Sequence, residues 1–548
     1  MSAFNNVTSF YEFHTENNDK FPMKIFDDES ENKKFGVLSI VTEKTESINV
    51  PLAIFFNVDY SGSMSDTCSD GRSKMQHIIH TLNNILKVFS TMENIECYIA
   101  VDVFDQDIKT IFDFTQITAN NVNTYTEMIS NIYPNGSTDI EKSLINANTK
   151  LNTYIENNPT HKIVHIQLTD GDATAGCCNP SKLVENVDDR YTNIFIGFGK
   201  THNSFMLNTL ANKKYGEYLF IDKIENAGFV YGEIVNNMIY SLIEEGFISI
   251  ENGEIYDWKN NIWTHTLVIP KIAADIKKTY HIRCNDIEDI DINVHGRLIG
   301  NDNIELLCNV EPLPELIDFN TNTAEPNDLT QYMYRQKVQE ILYIINEYNT
   351  KDKQNVGDWV DDIKTPTKNN KNHDEKMEIR KRVKSLFSHL KTFRDTIGEE
   401  EKEKKQFIKV LMDDLYVSYK TMGSYTSHMY SCARQTSQGR QYSYNVTNIE
   451  DEDNNFKMKR VSNGRKFNIP QTPIKRNNNI LCQCLDDDEY TLDTKKLQFE
   501  NEEYNEIFRE DNIEDVCDEF DDFVLSQNTE TTYTTPSIVS MMRSVSQK

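Results

Sequence analysis

Three short segments carry oxygen-bearing side chains in an order suited to holding a hard cation. Asp59-Tyr60-Ser61-Gly62-Ser63 ends the apolar run PLAIFFNVD (51–59). Asn135-Gly136-Ser137-Thr138-Asp139-Ile140 sits just before a helical pattern. Thr169-Asp170-Gly171 follows the apolar run KIVHIQL (162–168). Hydroxyl and carboxylate oxygens suit Mg²⁺ or Mn²⁺ and call for no thiolate or imidazole. Ser61, Ser63 and Thr138 offer neutral hydroxyls, and Asp59 and Asp170 offer the charge. An ion with so few negative groups around it stays electrophilic and accepts an outside carboxylate as its missing ligand. Such a device recognises a partner. It needs neither a nucleophile nor a general base.

The elements around these segments must bring them together. FGVLSI (35–40) reads as a strand. PLAIFFNVD is apolar on both alternating faces, the mark of a central strand in a parallel sheet. Met75, Ile78, Ile79, Leu82, Ile85, Leu86 and Phe89 then recur at helical spacing. IECYIAVDVF (95–104) and IKTIFDF (108–114) are the next strands, close enough for a hairpin. A helix over 139–155, the strand 162–168, strands at 191–199 and 216–221 and a closing helix over 229–245 complete the alternation. That pattern predicts an α/β fold with a doubly wound, Rossmann-like sheet over 51–245. In such sheets ligands bind beyond the carboxyl ends of the strands, at the switch point, and all three segments fall there.

These residues resemble the metal-ion-dependent adhesion site of the von Willebrand factor type A (vWA) family, with its D-x-S-x-S element, a later Thr and an Asp in a T/S-D-G turn. Asp59, Ser61 and Ser63 match the first element, Thr138 the second and Asp170 the third. The resemblance covers about residues 50–245. It implies Ser61, Ser63 and Thr138 as direct ligands, with Asp59 and Asp170 acting largely through water. Ile196-Gly197-Phe198-Gly199, His202, Tyr218-Leu219-Phe220-Ile221, the segment 246–312 and the block near DDLYVSYKT (413–421) resemble a vWA-plus-β-sandwich subfamily found with RING or Hint modules. There those modules supply the chemistry. This chain has neither the RING cysteine spacing nor a Hint Cys/His arrangement.

The remainder divides by composition. Residues 1–35 read as a loose lead-in, and 36–50 as a strand pairing into a small antiparallel sandwich at 246–312. Residues 326–435 are helical by period, broken by the polar linker TKDKQNVGDWVDDIKTPTKNNKN (350–372). Residues 436–548 are polar and acidic and read as mostly disordered. Thr535-Pro536 marks a helix start, after which Ile538, Met541, Met542 and Val545 share one face, either to anchor on the body or to bind a partner. EDVCDEFDDFVL (514–525) alternates acids with Val516, Phe520, Phe523 and Val524, a pattern of segments that fold onto partners and equally of solvated linkers.

The bulk numbers exclude several classes. At 548 residues the chain is too long for one core. A net charge of −29 repels phosphate backbones, so nucleic acid is not an expected partner. No signal peptide and no run of about 18 apolar residues is visible. The ten scattered cysteines suggest reduced thiols and a cytoplasmic location. Cys177-Cys178 and Cys482-Gln483-Cys484 each lack a second pair and read as free thiols. His202 and Asp172 read as a local packing residue and a loop acid. Neither a phosphate-binding G-x-x-x-x-G-K-[ST] nor a G-x-S-x-G elbow is present. The expectation is a metal-dependent protein-binding scaffold, not an enzyme, whose partner presents an Asp or Glu. The alternative is a ubiquitin-ligase-associated subunit or other enzyme component that borrows its chemistry from a partner.

Overall fold

β3 (Leu52–Asp59) is buried along its whole length. Its alternate residues serve two cores. Leu52, Ile54, Phe56 and Val58 face α1 (Lys74–Ser90), where Ile78, Leu82, Ile85 and Phe89 are buried. Ala53 and Phe55 face the other side, against Ala147 and Leu151 of a later helix. Each large side chain removed from water contributes about 1.5–3 kcal/mol. A strand with two such faces has no other place in a sheet than the middle.

The computed structural model describes residues 6–16, 33–45, 50–68, 70–223, 226–299, 305–314, 317–318, 323–324, 326–357, 368–424, 426–444, 523, 525 and 531–546. Beyond β3 and α1 come β4 (Cys97–Phe104), β5 (Ile108–Gln116), α2 (Val122–Ser130), α3 (Ile140–Asn157) and β6 (Lys162–Thr169). The short α4 (Pro180–Leu183), β7 (Thr192–Phe198), α5 (Ser204–Leu210), β8 (Gly216–Ile221) and α6 (Ala227–Ile239) follow. The sheet order is β5-β4-β3-β6-β7-β8. All neighbours are parallel except the β4–β5 hairpin at one edge. This is the doubly wound α/β sheet that the alternation implies. The chain leaves β3 for β4 on one side and returns to β6 on the other, so the switch point lies at β3.

Two further sheets face each other over a separate core that includes Leu38, Ile40, Ile248, Ile282, Ile292 and Val294. One holds β1 (Val7–Phe13), β2 (Lys34–Thr42), β10 (Gly253–Asp257), β11 (Ile262–Thr264), β14 (Lys277–Cys284) and β17 (Glu311–Pro312) in the order β11-β10-β14-β2-β1-β17. The other is β12-β9-β15-β16, from β9 (Ser241–Glu251), β12 (Thr266–Val268), β15 (Asp291–Leu298) and β16 (Glu305–Asn309), with β13 (Ile272–Ala273) beside β9. β2 lies between β14 and β1, so the α/β unit is inserted between neighbouring strands of this sheet.

Helices α7 (Thr330–Gly357), α8 (Lys368–Thr396), α9 (Lys402–Thr421) and α10 (Ser427–Arg440) form a block stitched to the sandwich. The buried Arg335 donates to Thr279 Oγ1 (2.8 Å) and Gln438 O (2.7 Å). Lys278 Nζ donates to Arg440 O (2.7 Å). Arg434 and Asp414 form a fully buried ion pair. α11 (Pro536–Ser546) lies on α6 and α1, where Ile538, Met542 and Val545 are almost wholly buried. Among the described residues no helix is long and apolar enough to cross a membrane.

Several expectations need correction. Residues 7–13, assigned to a loose lead-in, form β1, because Tyr11 and Phe13 alternate into the sandwich core and the backbone pairs with β2. The β1–β17 pair is parallel, so the sandwich is not wholly antiparallel. The closing helix ends at Ile239 and not near 245, since residues 241–245 already pair as β9. A helix, α2, occupies 122–130, where none was assigned. The linker at 350–372 is helical through Gly357 and again from Lys368, and 358–367 lies outside the described residues. The tail boundary at 436 falls inside α10, and Gln441 and Ser443 beyond it are buried. The expected disorder over most of 445–530, with Val516, Phe520, Val524 and Cys482-Gln483-Cys484, lies outside the described residues. Phe523 is described, and it packs on Phe387 and Tyr416 of the helical block at 5.0 and 5.1 Å. Cys97, Cys284, Cys308 and Cys432 are free thiols. Cys178 is disulfide-bonded, against the free-thiol reading, because spacing alone does not reveal a pairing.

Candidate metal centre

Asp59 ends β3, and Thr169 ends β6 beside it. Parallel pairing sets Val58 opposite Leu168, so the next residues, Asp59 and Thr169, emerge together at the carboxyl edge. Thr169 Oγ1 donates to Asp59 Oδ2 at 2.7 Å. Ser61 N donates to Asp59 Oδ1 at 2.8 Å and turns the chain over its own carboxylate. Asp59 is fully buried, and burial pushes its pKa up to about 6 despite the hydrogen bonds from Thr169 and Ser61. Burial disfavours the charged form of this carboxylate, and a cation beside it would favour that form.

Beyond Asp59 the chain makes a single 3-10 turn over Gly62–Ser65. That turn sets Ser61 Oγ and Ser63 Oγ 3.2 Å apart. Ser63 Oγ donates to Asp170 Oδ1 at 2.7 Å across 107 residues of sequence. Asp170 is fully buried, and its backbone oxygen accepts from Thr201 Oγ1 at 2.7 Å.

The loop that carries Thr138 is tied to both other segments. Asn135 N donates to Tyr60 O (2.7 Å), and Gly62 N donates to Gly136 O (3.1 Å). Thr138 N donates to Thr174 Oγ1 (2.8 Å), and Thr138 O accepts from Thr174 N and Ala175 N. Gly136 has φ +82°, and a Cβ there would fall 2.4 Å from Asp105 Oδ2, so only glycine fits. Asp139 caps α3 by accepting from Lys142 N at 2.9 Å. Asp59, Ser61, Ser63, Thr138 and Asp170 thus lie on three interlocked loops at one edge of the sheet. Ser63 bonds Asp170 directly, Ser61 bonds Ser63 through its hydroxyl and Asp59 through its backbone N–H, and Thr138 is held in place by its backbone.

Thr169, part of the Thr169-Asp170-Gly171 segment, and two neighbours that carry no signal in the sequence, Asp105 and Lys74, complete the surroundings of these residues. Thr169 supplies the hydroxyl on Asp59. Asp105 packs under Gly136 and accepts from Asp107 N at 2.6 Å. Lys74 reaches Asp170 Oδ2 at 2.6 Å and Asp66 Oδ2 at 3.0 Å. Burial opposes the charge on Lys74, but the Asp170 and Asp66 carboxylates more than offset it and its pKa is raised. His202 is not part of the site. Its Nδ1 meets Gly199 O at 2.8 Å and its Nε2 meets Tyr218 Oη at 2.7 Å, inside the fold. Asp172 is exposed.

Among the described residues no group of three His, Cys, Asp or Glu side chains is placed to hold a metal ion. The donors that converge are hydroxyls backed by buried carboxylates, an oxygen-only set that fits a hard divalent cation.

Residues 54–172 match the family profile of the von Willebrand factor type A domain. Inter-alpha-trypsin inhibitor heavy chain H3 of Mus musculus is 29% identical over 229 residues, 39% of this chain and 24% of the relative. The chain therefore spans about a quarter of the length of that relative. A von Willebrand factor type A structure from Catenulispora acidiphila aligns over 75% of this chain and 91% of its own, with 14% identity and a TM-score of 0.45. Proximal thread matrix protein 1 from the mussel byssus, solved with a zinc occupied MIDAS motif, aligns over 35% of this chain and 49% of its own, with 22% identity and a TM-score of 0.29.

Proposed function

We propose that this chain, whose residues 54–172 match the von Willebrand factor type A domain, is a protein-binding scaffold that recognises a partner carboxylate through Mg²⁺ or Mn²⁺. The observation that carries the reading is the Ser63 Oγ to Asp170 Oδ1 bond, made above the buried Asp59 at the switch point of the sheet. In this reading Ser61, Ser63 and Thr138 present hydroxyl oxygens to the ion, and Asp59 and Asp170 hold those hydroxyls in place and balance charge. The ion would supply an electrophilic point of attachment for an Asp or Glu of the partner. A relative named as an inhibitor heavy chain accords with a binding role. No chemical step is assigned to the chain.

The test is capture of partners in Mg²⁺ against capture in chelator. Retained proteins should depend on the metal and should be lost in Thr138→Ala and when one partner Asp or Glu is neutralised. Equal capture in chelator would refute metal-dependent recognition. A cytoplasmic location forms part of the proposal. Disulfides are rare in that compartment, so recovery of the Cys178 bridge intact from cells would move the chain to an oxidising one.

A further inference from the structure

Lys74 is fixed at the metal centre by the start of its helix. Ser73 caps α1 in a reciprocal box with Gln76, at 3.2 Å from Gln76 N and 2.7 Å to Gln76 Oε1. Lys74 N donates to Asp66 O at 3.0 Å, which folds the loop after Ser65 back onto the helix. The side chain reaches Asp170 and, less closely, Asp66. The two oxygens of Asp170 are divided: Oδ1 accepts from Ser63 Oγ, and Oδ2 accepts from Lys74 Nζ at 2.6 Å. The Asp170 side chain is fully buried and that of Lys74 is 17% exposed, so solvent screens the pair little. Asp66, the other partner of Lys74, is 65% exposed and counts for less.

The charges decide what such a site accepts. The carboxylates bonded to the site's own groups are Asp59 and Asp170. Without Lys74 they would balance a divalent ion and leave a neutral centre. With Lys74 the occupied centre is more positive than without it, since the exposed Asp66 offsets the ammonium only in part. We propose that Lys74 is a specificity-determining residue, whose fixed ammonium offsets Asp170, weakens the hold on the metal and makes the loaded centre select a carboxylate over a neutral ligand. The inference rests on the metal-binding reading above and gives that site its preference for an anion. A fixed positive charge and a divalent ion sharing one carboxylate repel, so the metal is held less tightly than its oxygen set alone would hold it. The same repulsion is relieved when a partner carboxylate arrives, which couples the two binding events.

The experiment uses the full chain with Mn²⁺ as the metal probe and glutarate as the carboxylate probe. Manganese affinity is read by calorimetry, and glutarate affinity by water-proton relaxation of the loaded protein. Lys74→Gln keeps a hydrogen-bond donor to Asp170 and removes the charge, and Lys74→Arg keeps the charge. Lys74→Gln should bind Mn²⁺ about tenfold more tightly and glutarate about tenfold more weakly. Lys74→Arg should stay near wild type in both. Weaker manganese binding in Lys74→Gln, or unchanged glutarate affinity, overturns the role of Lys74 while leaving the metal site intact. A wild-type chain that binds no Mn²⁺ overturns the metal reading, and this inference with it.

Discussion

His165 lies in β6 at the centre of the α/β sheet, 1% exposed, with its ring stacked on Phe55 at 5.6 Å. Its Nδ1 is 2.9 Å from Asn193 Oδ1. Asn193 Nδ2 donates to Asp188 O at 2.7 Å, which orients the amide so that its oxygen faces the ring. Nδ1 therefore carries the proton, and among the described residues the buried Nε2 has no hydrogen-bond partner. Burial lowers the pKa from 6.5 to about 4, against a small rise from the Asn193 bond. The unfolded chain takes up this proton near pH 6.5 and the folded chain only near 4. Stability from this group is complete above pH 6.5 and is lost as pH falls toward 4, with a full value of about 3 kcal/mol. Between pH 7.5 and 5.0 the loss is about 2 kcal/mol. His165→Leu removes the proton site and keeps an apolar side chain. Hydrogen exchange of the β6 and β7 amides at the two pH values reads the local free energy, where a global unfolding curve of a multidomain chain would not. The pH-dependent loss should shrink by about 2 kcal/mol in the variant. An unchanged loss, or a His165 imidazole that titrates near 6.5 by NMR in the wild type, would refute the reasoning. His281 is also buried neutral and adds its own slope, which cancels in the comparison.

The other expectations concern the metal centre and the terminal helix. At a hundredfold excess over its dissociation constant, Mg²⁺ should stabilise the wild type by about 2.7 kcal/mol, and Asp59→Ala should abolish the gain; a full gain in Asp59→Ala would mean that the site is misassigned. Gly232 of α6 lies so close to α11 that a Cβ would fall 2.5 Å from Met542 Cα. Gly232→Leu should eject α11 and expose Ile538, Met542 and Val545 to protease, and an unchanged cleavage pattern would contradict that packing.

The apolar runs were readable because a strand buried on both faces must be apolar throughout, and each run ends on an acid or on Thr-Asp at the sheet edge. PLAIFFNVD and KIVHIQL announce β3 and β6 in this way, and adjacency in a parallel sheet does the rest. Lys74 was hidden for a physical reason. It opens an amphipathic helix where a lysine is ordinary, and only the return of the loop from Ser65 to Ser73 sends it to Asp170. β1 was hidden too. VTSFYEF alternates only weakly, and its order comes from pairing with β2 and from a core contributed by residues more than two hundred positions later. Cys178 shows the same limit, since its bond depends on a partner that spacing does not name.

The insertion of the α/β unit sets an order for folding. β2 pairs with β14, and Thr42 Oγ1 donates to Ala273 O at 2.7 Å and to Ile276 O at 3.0 Å, a closure across 234 residues. Closing a flexible loop of that length costs about 5 kcal/mol in entropy before any sandwich contact forms. If the α/β unit folds first, its compact body replaces most of that flexible loop and brings the two flanks near each other. Its own strands need much shorter closures, with β3 and β4 only 45 residues apart in register. The expected sequence is thus protection of β3 and β4 amides first and of β2 and β14 amides later, with the sandwich slowed by its dependence on the insert. Pulse-labelled hydrogen exchange during refolding of the full chain separates the two sets. A variant that weakens the α/β core, such as Leu82→Ala, should delay protection of β2 and β14 although it touches neither. Protection of β2 and β14 ahead of β3, or at an unchanged rate in Leu82→Ala, would show that the sandwich closes without the insert and that the two units fold independently.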